Sequence, residues 1–129
     1  DVCSSDLAVR EIERMERHDA LAYIFPVWWY SMPAMLKGYI DRVWNFGYAY
    51  GSRKLKHRRM LWLGLAGASA EHFEKRNFNQ PMEQILNVGT AQFSGIADSK
   101  FELFYEVLDA PPGHLEQLLD RAYRLGLEF

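Results

Sequence analysis

The stretch FPVWWYSMPAMLKGYIDRVW, Phe25 to Trp44, sets two tryptophans and a tyrosine between an apolar run and an amphipathic one. Connecting loops run over the surface and are ordinarily polar, so three large rings in one loop need a reason. Immediately upstream, ALAYIF (Ala20 to Phe25) is short and continuously apolar, the pattern of a parallel strand covered on both faces. Pro26 stops it. Downstream, a helix is expected from Ser31 or Met32, with Pro33 tolerated in its first turn because the missing N–H has no intrahelical partner there. Met35, Leu36, Tyr39, Ile40, Val43 and Trp44 recur at helical spacing, opposite Lys37, Asp41, Arg42 and Asn45. Gly47 is placed to end that helix.

The same alternation of elements extends in both directions. AVREIERMERH, Ala8 to His18, is rich in strong helix formers. MLWLGLA, Met60 to Ala66, reads as a second buried strand, followed by the small residues Gly67, Ala68 and Ser69. Residues 70 to 80 are polar, with room for a short helix, and Pro81 opens another helix with Met82, Ile85 and Leu86 as its stripe. KFELFYEV, Lys100 to Val107, alternates as an exposed edge strand does. Pro111, Pro112 and Gly113 then turn the chain into an amphipathic helix carrying Leu115, Leu118, Leu119, Ala122 and Leu125. Helices alternating with strands imply an α/β fold with a parallel sheet joined by right-handed crossovers.

Bulk composition narrows the function. A chain of 129 residues can bury one ordinary core, and its 15% aromatic content offers ample stacking surface. A net charge of -2 provides no general attraction to nucleic acid or anionic membrane. Pro26 and Pro33 interrupt the most apolar stretch, so no membrane span is expected, and a cytoplasmic protein is the expectation. The single Cys3 excludes an internal disulfide framework, and His18, His57, His72 and His114 lack ligand spacing, so no metal site is expected. The basic run Arg53, Lys54, Lys56, His57, Arg58, Arg59 reads as a solvated loop near acidic helices rather than a nucleic-acid patch. The opening DVCSSDL resembles a sequencing adaptor read in frame. Residues 1–7 are therefore expected to be non-native, with the native sequence beginning near Ala8.

In open parallel sheets, ligands bind beyond the carboxyl ends of the strands. Pro26, Val27, Trp28, Trp29 and Tyr30 follow one strand; Gly67 to Ser69 follow the next. They are expected side by side, the first loop supplying rings and amides, the second supplying close access to the backbone. A planar heteroaromatic ring needs that pairing. Any one of the three rings is equally compatible with plain core packing. As a unit, the loop reads as a platform.

The run F-P-x-x-W-Y-x-x-P-A-x-L-K-G-Y-I-D-R-V-W, with Ala49-Tyr50-Gly51 soon after, resembles the NAD(P)H:quinone oxidoreductases of the flavodoxin-like fold, of the DT-diaphorase and modulator-of-drug-activity type. The resemblance covers Ala8 to Phe129 and implies a flavodoxin-like three-layer sandwich whose first two strands are missing. It implies that Pro26, Val27, Trp28, Trp29, Tyr30 and Gly67 seat FMN or FAD, and that Tyr50 lines the quinone and nicotinamide pocket across a homodimer interface. The implied activity is a two-electron transfer from NAD(P)H, through the flavin, to a quinone-like acceptor. An ancillary regulatory role in a potassium-efflux system is the alternative. Two departures stand out: Gly64-Leu65-Ala66-Gly67 replaces a Thr-Thr-Gly-Gly run of many members, and no phosphate-binding glycine loop occurs. His72 or Phe73 falls near the family's relay tyrosine, and His72 is the candidate for the charge relay, against the competing reading of a solvated loop histidine. Alone, residues 1–129 are expected to be inactive.

Overall fold

The computed structural model describes residues 2–129, with side chains from Asp6 onward. What residues 1–5 carry as side chains, Cys3 included, lies outside the described residues, as does the placement of Asp1. Helix α1 spans Val2–Glu16 and strand β1 spans Ala20–Pro26. Helix α2 (Ala34–Val43) leads through a long loop to β2 (Arg59–Leu65). Short helices α3 (Ala70–Lys75) and α4 (Asn79–Glu83) follow, the latter running into a π-helical segment, Gln84–Gln92. Strand β3 (Ser99–Phe104) and helix α5 (His114–Glu128) close the chain.

The three strands form one parallel sheet in the order β1-β2-β3. Central β2 is almost wholly buried, as MLWLG predicts. In-register partners share a face, so Tyr23, Trp62 and Phe101 point one way. There they meet Ile12 and Met15 of α1, Tyr39, Ile40 and Val43 of α2, and Leu86 and Ala91 of the π-helical segment. The rings interlock: Tyr23 lies 5.4 Å from Trp62 and 6.1 Å from both Trp44 and Tyr39, centroid to centroid. Trp62 is completely buried, and its indole N–H donates to Ser99 Oγ, which donates to Asn87 Oδ1. Its polar atom is therefore satisfied inside the core, as burial demands.

Several sequence expectations need correction. β1 is covered on one face only, since Ile24 on the other is 64% exposed among the described residues. Helix α2 begins after Pro33, which serves as an extended N-cap (φ -60°, ψ 154°), and it ends at Val43. Gly47 instead takes a left-handed φ of 83° in the loop beyond, where its N–H donates to Tyr50 O. β3 stops at Phe104, because Glu106 turns left-handed (φ 52°) and its N–H leaves the ladder for Ala68 O. Pro81 sits inside α4 rather than opening a helix.

Candidate functional site

Just past β1, the backbone makes a turn its sequence does not advertise. Trp28 N–H donates to Ser31 O at 3.0 Å and Ser31 N–H returns to Trp28 O at 3.1 Å, an isolated antiparallel bridge. The two residues between, Trp29 and Tyr30, both take positive φ, 51° and 58°. That is the signature of the tight type I′ turn, which ordinarily uses Asn-Gly. Each left-handed residue bearing a Cβ costs about 1–2 kcal/mol. Two bulky aromatics are thus held where glycine would be cheaper.

The strain orients the rings. Trp29 is left 94% exposed, and Trp28 also faces out. Tyr30 folds back, stacking on Phe78 at 3.8 Å with 21° between planes and packing edge-on against Phe73. Tyr30 OH lies 2.9 Å from His72 Nε2, the two rings nearly parallel at 9°. His72 is half-buried in the first turn of α3, and its backbone N–H donates to the N-cap hydroxyl of Ser69. A free loop histidine is therefore not what the structure shows.

The second wall comes from β2. Val27 N–H donates to Leu65 O at 2.8 Å, zipping the two strand ends together. A pocket of about 230 Å³ results, lined by Val27, Trp29, Tyr30, Ala66, Gly67, Ala68 and Phe73. The backbone N–H groups of Trp29, Tyr30, Gly67 and Ala68 make no backbone hydrogen bond among the described residues. Gly67 adds no side chain to the lining, and a Cβ there would make ordinary contact with Leu108 Cδ1 at 3.4 Å. At Gly64, one turn of the pleat below, an added Cβ would strike Val27 Cγ2 at 2.8 Å and Leu103 Cδ2 at 2.9 Å. Glycine there lets Val27, which lines the pocket, pack flush against β2.

The structure thus joins Val27, Trp29, Tyr30 and Gly67 and brings His72 to Tyr30; Trp28 is in the same loop but outside the lining, and Pro26, expected to stop β1, is instead its last paired residue, opposite Leu65. It does not bring Tyr50 to this pocket. Tyr50 packs in a separate exposed cluster, 5.9 Å from Phe46 and 6.2 Å from Phe93. Phe78 was missed by sequence reasoning, which weighed Phe73 only as the alternative to His72; the signal was aromatic residues five apart in an otherwise polar stretch. The basic loop is occupied with structure. Arg53 pairs with Glu16 (2.9 Å), Arg58 with Asp19 (2.8 Å), Arg59 with Asp98 (2.7 Å), and Lys54 caps Phe93 O. Arg58 donates to Asp19 and holds that carboxyl below its ordinary range.

The family model described as flavodoxin-like fold matches residues 4–125. The chain belongs to the flavodoxin-like fold family. Within it, an uncharacterized NAD(P)H oxidoreductase, YcaK of Escherichia coli K12, is 45% identical over 83 residues, which is 64% of this chain and 42% of that protein. The potassium-efflux ancillary protein KefF of Enterobacter sp. 638 is 38% identical over 71 residues, 54% of this chain and 40% of its own length. Among solved structures, the NAD(P)H:quinone oxidoreductase of Methanothermobacter marburgensis superposes with a TM-score of 0.87 at 32% identity, over 94% of this chain and 61% of that one. General stress protein 14 of Treponema denticola, solved with FMN, shares the fold (TM-score 0.67, 24% identity, 94% of this chain and 70% of that one). The chain spans less than half the length of both curated relatives.

The residues present fit one edge of a flavin. Four amides without a backbone partner among the described residues can donate to ring heteroatoms, an exposed indole offers a stacking face, and Gly67 adds no side chain to the lining. A volume near 230 Å³ suits part of a cofactor rather than all of it.

Proposed function

We propose that this chain provides the ring-binding part of a flavin-dependent NAD(P)H:quinone oxidoreductase, using FMN or FAD. The observation that carries the reading is the strained Trp29–Tyr30 turn, held beside Gly67 and Ala68 at the carboxyl ends of paired strands. A bound flavin would supply the two-electron chemistry between the nicotinamide donor and a quinone-like acceptor. The protein's own part is to bind, orient and exclude water. Amides of Trp29, Tyr30, Gly67 and Ala68 hold the ring edge, and Trp29 covers a face. Phe78 fixes Tyr30 so that its hydroxyl stays on His72, a pair able to hold a proton at the tyrosine oxygen or the imidazole Nε2. Tyr50, on its own aromatic patch, serves the acceptor and nicotinamide when two subunits meet as a homodimer. Residues 1–129 alone are expected to be inactive, and the working compartment is the cytoplasm, where NAD(P)H is supplied.

The test uses a protein carrying the whole family fold. Trp29→Ala should weaken flavin binding about fivefold or more, the equivalent of about 1 kcal/mol of aromatic contact. Unchanged affinity in a fluorescence titration would remove Trp29 from the site. Tyr50→Ala should raise the quinone KM while flavin content holds. The similarity to KefF supports a second reading, an ancillary role in potassium efflux, which flavin binding without quinone turnover would favour.

A further inference from the structure

The long loop between α2 and β2 encloses two polar atoms that the fold leaves unserved. Tyr48 and His57 are only 7% and 8% exposed. Tyr48 Oη and His57 Nδ1 have no hydrogen-bond partner among the described residues. Buried polar atoms are ordinarily paired, and an orphan costs more than a made bond returns. The two orphans differ in what they need. His57 Nε2 lies 2.9 Å from Met15 O, and a carbonyl only accepts, so that nitrogen carries the ring proton. Nδ1 of the neutral ring is then an acceptor and requires a donor. The Tyr48 hydroxyl is able to donate to an oxyanion.

Both residues line one cavity of about 440 Å³ at the amino ends of β1 and β2, a size within the range of small-molecule sites. Arg53, Lys54 and Lys56 line it too, against the carboxylates of Glu16 and Asp19. Those carboxylates are already answered. Glu16 takes Arg53 Nη2 at 2.9 Å, and Asp19 takes Arg58 Nε at 2.8 Å from outside the lining. Lys54 donates to Phe93 O and keeps its charge, and Lys56 forms no ion pair among the described residues. Positive charge therefore exceeds negative around the cavity. Arg53 stands over the Tyr48 ring, its guanidinium carbon 5.9 Å from the centroid. A guanidinium carries several N–H donors, so one bond to Glu16 leaves others for an anion. The Arg53 side chain is 57% exposed, and an exposed pair of this kind yields at little cost, which opens a way to Tyr48.

We infer that this cavity binds an oxyanion that also bears a hydroxyl, either hydrogen phosphate or the phosphate ester of a small hydroxylated compound. The ligand's O–H donates to His57 Nδ1, its oxygens accept from Tyr48 Oη, and Arg53 and Lys56 balance its charge. The site lies at the opposite end of the sheet from the Trp29–Gly67 pocket, so it stands apart from the flavin reading. Sulfate separates recognition from mere attraction. It matches phosphate in shape and nearly in charge, but at neutral pH it has no O–H and leaves the His57 acceptor unserved.

The test titrates residues 1–129 with inorganic phosphate and with sulfate, at neutral pH and fixed ionic strength, by calorimetry and by NMR of the imidazole nitrogens. Phosphate should bind about tenfold more tightly than sulfate, and it alone should move the His57 Nδ1 resonance. Tyr48→Phe, which removes an unpaired hydroxyl and keeps the ring, should weaken phosphate about fivefold while the thermal midpoint holds or rises. Lys56→Gln should weaken both anions alike and leave their ratio unchanged. Glycerol phosphate distinguishes the two sources: tighter binding than inorganic phosphate assigns the ester, weaker binding the free ion. Equal affinity for phosphate and sulfate would overturn the inference, since charge alone would then account for binding. Saturable binding by neither anion would assign the two orphan atoms to water and overturn it as well. So would a Tyr48→Phe variant with undiminished affinity for phosphate.

Discussion

The two ends of the sheet solve the same backbone problem in opposite ways. Where the chain approaches the amino ends of β2 and β3, left-handed positions are taken by Gly47, Gly51 and Gly95. Beyond the carboxyl ends, left-handed φ falls mainly on residues with side chains, Trp29, Tyr30, Asn77, Glu106 and Asp109, with Gly113 the one glycine among the described residues there. Glycine removes the steric cost of positive φ; the other residues retain it. Strain of that kind persists only where surrounding contacts hold it, and it gathers where side-chain identity matters. The amino end is thus built for fit, with ion pairs around it. The carboxyl end gives up stability for the placement of particular rings.

The largest effect tests the amino end. Gly95→Ala would place a Cβ 2.8 Å from Leu55 O and 2.9 Å from Lys54 Cβ, at a φ of 106°. Since Leu55 N–H is bonded to Ser94 O, that backbone cannot retreat without losing a hydrogen bond. A loss of about 2–4 kcal/mol is expected by denaturant unfolding, as for other strained or overpacked sites. A neutral result would break the claim that glycine there answers a steric need.

A second measurement concerns the aromatic layer joining the ends. Burial pushes the Tyr23 hydroxyl up to about 12 from an ordinary 10.0, although it accepts from the Trp44 indole. Folded Tyr23 keeps its proton where the unfolded chain loses it, so stability is intact below pH 10 and falls as pH rises through about 12. Tyr39 and Tyr48 are shifted upward as well, chiefly by burial. Tyr23→Phe should make the alkaline decline of the unfolding free energy shallower by about one proton. An identical slope would mean that this layer is wetter than its packing implies.

Third, Trp29→Asn should stabilise the turn by about 0.5–1 kcal/mol while weakening flavin binding. Asparagine tolerates left-handed φ, and the exposed indole gives up little burial. Lower stability would show that Trp29 is a fold residue and erase the contrast. The smallest effect belongs to the ion pairs. Arg58→Ala should leave the thermal midpoint within about 1–2 °C, while the Asp19 carboxyl, followed by NMR, titrates upward toward its ordinary value.

How much was readable beforehand follows from the range of the forces involved. Residues 25–44 contain two prolines that bracket the loop between strand and helix, and a helical stripe, so sequence determined an α/β parallel fold and the adjacency of the two strand-end loops. The same run carried the family resemblance. Local pattern could not decide which rings face out, because the type I′ turn has none of its usual residues and is imposed by the Val27–Leu65 and Trp28–Ser31 hydrogen bonds. Nor could it place His72 on Tyr30, 42 residues away, or add Phe78 to the site. Ile24 shows the converse. Its apolar neighbours predict a strand covered twice over, and only the position of α5 relative to β1 shows which face is left open. Sequence determined which residues want burial; the tertiary arrangement decided which of them obtain it, because covering a side chain depends on elements far away in the chain.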